Sequence, residues 1–93
     1  MSVEMLEIMG QLLKTVRMIR GLSPELAVVF RSLESSLVYS APEQLPLRAD
    51  IFNELMNDNE ALFSDEQMQQ VCDMIGCSNP RTQNTTHWQK EGF

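Results

Sequence analysis

One histidine, two cysteines and a run of acids are the side chains from which a reaction would have to be built in this 93-residue chain. His87 is the only histidine, and it stands in the polar stretch "CSNPRTQNTTHWQKEGF" with no cysteine, serine or carboxylate at a motif spacing from it. General base or nucleophilic chemistry needs such a partner to orient and activate the ring. The sequence also lacks a glycine-rich phosphate loop and an HExxH pair, so no catalytic residue is assigned and no cofactor is expected. Cys72 and Cys77 are five apart, a spacing that fits neither CxxC redox chemistry nor a zinc quartet, and we read them as reduced, structural thiols. The segment "NDNEALFSDEQ" has the acidity of a calcium loop without its central glycine or its alternating oxygen ligands. It reads as an acidic turn leading into a helix, and no metal site is expected.

The remaining chemistry is recognition. The net charge of −6 is unevenly laid out. Residues 1–40 balance four cations against four acids, whereas residues 41–76 set eight acids against Arg48 alone. A field of that sign repels nucleic acid and favours a basic protein surface. Lys14, Arg17 and Arg20 form a basic ridge which, with Arg31, could serve a helix-turn-helix contact to DNA. Three or four cations on so acidic a chain fall short of a nucleic-acid footprint. The ridge is expected instead to offset a helix dipole and to face the acids of the third and fourth helical segments, within the fold or across a dimer. Trp88 and Phe93 stand among polar neighbours, and large aromatics in such a place act as anchors when they find a pocket.

These groups must be positioned by helices. From Met5 to Ile19 the apolar residues fall within an arc of about 160°, wider than the roughly 100° that a surface helix needs. The first segment is therefore the central helix of a bundle, or one that also packs on another chain. Gly10 marks a candidate close crossing, and Gly21 a candidate stop. Ser23 and Pro24 suit the N-cap and first turn of a second helix ending near Tyr39, whose stripe is Leu26, Val29, Phe30, Leu33 and Leu37. Pro42 and Pro46 predict an extended connection of about ten residues, pinned by Leu45 and Leu47. A short third helix starts at Arg48 or Asp50, with Ile51, Phe52, Leu55 and Met56 inward. Ser64 with Gln67 forms a capping box for a fourth, whose inner stripe is Met68, Val71, Cys72 and Ile75 and whose stop is Gly76.

No stretch alternates with period two, so the expected fold is all-α: a small four-helix bundle-like domain over residues 1–76, followed by a C-terminal arm over residues 77–93. The opening carries Glu4 and Glu7 where a signal peptide carries Lys or Arg, and no apolar run approaches a membrane span, so a cytoplasmic protein is expected. Seven methionines, three of them in the first segment, serve most often as core filler and also suit a surface that adapts to a partner. The function these features favour is a non-enzymatic, acidic helical module that binds a protein with a basic surface, as inhibitor, chaperone or regulatory subunit, with a homodimer as a further possibility. The expected contact residues are Met5, Met9, Leu12 and Val16 on the first helix, the acids Glu54, Asp58, Glu60, Asp65 and Glu66, and the arm's Trp88 and Phe93. The alternative is a small DNA-binding regulator.

Overall fold

Apolar residues at helical spacing from Met9 to Ile19 dictate the longest element, α1 (Val3–Arg20), and the rest of the chain is wrapped around it. A computed structural model describes residues 3–76 and Asn79. The arm with His87, Trp88 and Phe93, and Cys77, lie outside the described residues. The described chain is all-α: α1, α2 (Pro24–Val29), α3 (Arg31–Tyr39), α4 (Leu45–Asp58) and α5 (Asp65–Ile75), with 3-10 turns at Pro42–Gln44 and Glu60–Leu62. No described helix is long and apolar enough to cross a membrane.

The wide apolar arc of α1 has a direct structural cause, for α1 touches each of the other four helices and the first 3-10 turn. Met9, Leu12, Val16 and Ile19 sink into the core, and so does Thr15, which is wholly buried. Its hydroxyl donates to the Gln11 carbonyl at 2.8 Å, so the buried oxygen is satisfied within the helix. Gly10 marks no crossing. A methyl group built there would meet nothing within 4 Å, and the residue is exposed. Gly10→Ala is therefore expected to stabilise the protein by about 0.5–1 kcal/mol, read as a higher urea midpoint at unchanged slope.

Where α1 stops, the backbone tightens into bonds from Gly21 N–H to the Met18 carbonyl and from Leu22 N–H to the Ile19 carbonyl, each 3.0 Å. Gly21 thus ends the helix through a 3-10 turn and not in the left-handed conformation. Ser23 then caps α2 as its type predicts, its hydroxyl accepting from Leu26 N–H at 3.2 Å with Pro24 in the first turn.

The second expected helix is divided. Phe30 adopts φ −95°, ψ 3° and separates α2 from α3, giving five helices in place of four. Val28 and Val29 hold helix poorly, and Phe30 is drawn inward against Phe52 and Phe63, with ring centroids 6.1 Å and 6.4 Å away. The stripe survives the break, since Leu26, Phe30, Leu33 and Leu37 are all buried.

The extended connection is a correction as well. Pro42 opens a 3-10 turn, and α4 begins at Leu45 with Pro46 in its first turn, where a missing N–H costs nothing. Leu45 packs on the core, whereas Leu47 is exposed and pins nothing. From α4, Phe52 is buried and Ile51, Leu55 and Met56 lie against the core. The Ser64–Gln67 capping box starts α5 with both reciprocal bonds made. Gly76, at φ 73°, closes the helix through its N–H to the Cys72 carbonyl.

The basic ridge also faces a different acid from the one expected. Arg17 donates to Glu34 of α3 at 2.9 Å, and Arg20 donates to the same carboxylate and to the Ala27 carbonyl. The hydrogen bonds from Arg17 and Arg20 hold the Glu34 carboxyl below the ordinary carboxylate range. A carboxylate depressed in the fold stabilises it fully above the unfolded glutamate pKa and loses that contribution as pH falls through its folded value. Glu34→Gln is thus expected to flatten the loss of stability on the acid side of about pH 4.3, the ordinary glutamate value, measured as urea midpoint against pH. Because Arg17 is largely exposed, added salt is expected to shrink the difference.

Candidate interaction surface

The first two turns of α1 project past what the other helices cover. Val3 is 69% exposed, Leu6 49% and Ile8 54%. Leu6 and Val3 face outward, but Ile8 lies on the core side of the helix, one turn before Leu12, and is open because a groove begins beside it. The groove runs between α1, the start of α4 and the end of α5, with a volume of about 280 Å3. Leu12 and Phe52 line it as buried residues, Leu45 and Ala49 are half-buried, and Ile8 and Ile75 are exposed; Gln11 and Asn53 supply its polar lining.

Its walls are fixed by specific bonds. Gln11 on α1 donates from Nε2 to the Met74 carbonyl at 2.7 Å, satisfying one of the carbonyls that the end of α5 leaves without a helical partner. Together with the Gly76 turn, this holds Ile75 at the groove. Asn79 is buried and donates from Nδ2 to Gln69 Oε1 at 3.0 Å, so the chain is tied back alongside α5 just beyond its end. Opposite, Arg48 near the start of α4 donates to Ser40 Oγ at 2.8 Å, and Ser40 in turn donates to the Ser36 carbonyl, joining α4 to the end of α3. Along the contact of α1 with α5, Gln11 meets Met74, while Met18 and Leu22 border a surface hollow with Gln70, Asp73 and Met74.

The expected contact residues fall into separate groups in this arrangement. Met9, Leu12 and Val16 are 8%, 7% and 0% exposed and belong to the core; of the three, only Leu12 lines the groove. Met5 is half-buried. The acids Glu54, Asp58, Glu60, Asp65 and Glu66 are all exposed, along the end of α4, the 3-10 turn and the first turn of α5. Asp65 and Ile75 stand at opposite ends of α5, roughly 15 Å apart at the helical rise. The acidic corner and the groove are thus distinct places on one molecule. Trp88 and Phe93 lie outside the described residues.

Ile8, Leu45, Ala49, Phe52, Asn53 and Ile75 were not among the expected contacts. Ile8 and Ile75 each end an apolar stripe, and a stripe shows which side of a helix is apolar but not where its neighbours stop. Among the described residues no three His, Cys, Asp or Glu side chains converge as a metal site would require. Two of the four cations that a DNA contact would use, Arg17 and Arg20, are paired with Glu34.

Comparison of the chain with protein-family models, with curated proteins and with solved structures found no match.

Proposed function

We propose that this chain is a non-enzymatic protein-binding module of the cytoplasm that receives an apolar element of a partner in the groove between α1, α4 and α5. The observation that carries this reading is the groove itself, apolar in its floor and sides and bounded by fixed backbone. Contiguous apolar surface of this kind, rimmed by polar residues, marks binding sites on proteins. The exposed acids Glu54, Asp58, Glu60, Asp65 and Glu66 would steer and orient a partner with a basic surface, acting on association rate more than on final affinity. An inhibitor, a chaperone or a regulatory subunit works in this way, through surface alone.

The test is capture of partners from the source cells by the full chain and by two full-length variants. Ile8→Glu places a charge in the groove at an exposed position, so the fold is expected to survive. A partner held by the wild type is expected to be lost from Ile8→Glu. Glu54→Lys/Asp58→Lys is expected to retain it with slower, less salt-sensitive association. If Ile8→Glu captures the same partners with the same affinity, the groove is not the binding site. No binding to duplex DNA is expected in a low-salt gel shift; a strongly salt-dependent complex there would reverse the reading in favour of nucleic acid.

A further inference from the structure

We propose that in the partner-free chain the groove is filled by the chain's own C-terminal segment, residues 80–93, with Trp88 as the side chain that enters it. The inference rests on the reading of the groove as the docking surface and names its resting occupant.

Geometry at the end of α5 brings the segment to the right place. Ile75, the last helical residue, lines the groove, and Gly76 at φ 73° turns the backbone out of the helical path beside it. The chain is then held against the body three residues later, where buried Asn79 donates to Gln69. Gln69 precedes Ile75 by six residues, so that tether lies roughly 9 Å along the helix from the groove. Nine residues separate Asn79 from Trp88, and a random-coil chain of nine residues has a root-mean-square span of roughly 15–18 Å. A tether whose natural span exceeds the distance it must cover by no more than about twofold reaches it readily and keeps the local concentration of its end in the millimolar range.

Composition points to the same occupant. Trp88 and Phe93 are the only large apolar side chains in the segment, and the groove, of about 280 Å3, has room for a side chain of that kind. Charge agrees. Arg81 and Lys90 outweigh Glu91 in the segment, while Glu4 and Glu7 are exposed on the same two turns of α1 as Ile8, and Asp50 is exposed one turn before Asn53 on α4. A basic, aromatic segment tethered at the edge of an apolar groove with acids near it is a competitor for any partner that uses that groove.

Trp88 is the only tryptophan, so the intrinsic emission of the full chain reports its surroundings without a label. The expected result is emission at shorter wavelength than free N-acetyltryptophanamide and acrylamide quenching several-fold weaker, both unchanged on dilution. Ile8→Glu and, independently, Ala49→Gln are expected to return both readings to the values of a solvated indole while the far-ultraviolet circular dichroism keeps its helical form. A solvated signal in the wild type overturns the proposal. A protected signal that fades on dilution also overturns it, because the occupant is then the segment of a second copy. Protection that survives both substitutions with the fold intact overturns it too, because Trp88 then sits elsewhere. A solvated Trp88 together with groove-dependent partner capture removes only the resting occupant; a protected, groove-dependent Trp88 with groove-independent capture removes only the partner site.

Discussion

Phe30→Ala is expected to destabilise the protein by about 3–5 kcal/mol, the range for removing a large buried aromatic from a core that cannot fully collapse. Phe30 is wholly buried and stands between two other rings, tilted to Phe52 at 58° and edge-on to Phe63 at 80°. Its loss therefore removes two aromatic contacts in addition to the transferred surface. Those rings come from α4 and from the residue before the Ser64 cap, so one substitution loosens the joint between α2 and α3 and both later helices. A domain of this size has roughly 4–11 kcal/mol of stability in total, so the variant is expected to be partly unfolded at 37 °C. Equilibrium urea unfolding checks it. A loss under about 1 kcal/mol would mean that the three rings do not form the centre of the core.

The second large effect separates core from surface along α1. Leu12→Ala is expected to destabilise the isolated protein by about 2–5 kcal/mol, whereas Ile8→Ala, one turn away, is expected to cost under about 1 kcal/mol because its side chain is already half in water. Both side chains line the groove, and only Leu12 is buried. Were Leu12 a contact for a partner and not for this chain's own helices, the two substitutions would affect the isolated protein equally little. Urea midpoints for the two variants decide between these outcomes, and circular dichroism at the same concentration shows whether either changes helix content.

What could be read in the sequence was whatever is encoded locally. The Ser23 cap with Pro24, the Ser64–Gln67 box and the Gly76 stop each depend on residues within one turn, and the structure makes all three. The inward stripes follow from helical period alone, and Leu26, Leu33, Leu37, Phe52, Met68, Val71 and Cys72 are buried accordingly. Features decided by the partner element were not readable. Phe30 breaks a helix because Phe52 and Phe63 draw it inward, and Pro46 is harmless because α4 happens to start one residue before it. The acid that takes up Arg17 and Arg20 is Glu34, seventeen and fourteen residues away along the chain, and spacing alone does not select it from the other twelve acids. The same limit applied to the surface. The apolar arc of α1 marked Met9, Leu12 and Val16 as strongly as Ile8, and only the positions where α4 begins and α5 ends distinguish buried from open.

The Gln11–Met74 bond joins residues 63 positions apart and has a bearing on how the protein is made. A polypeptide emerging from the ribosome exposes its N-terminal part first, so α1 is released with one flank bare and stays so until α5 has emerged after it. Local closure cannot relieve this, since α2 and α3 shield a different side. Newly made copies pass through an interval in which the greasy flank later covered by α5 is open to holdase chaperones or to one another, and slower elongation between α1 and α5 lengthens that exposure.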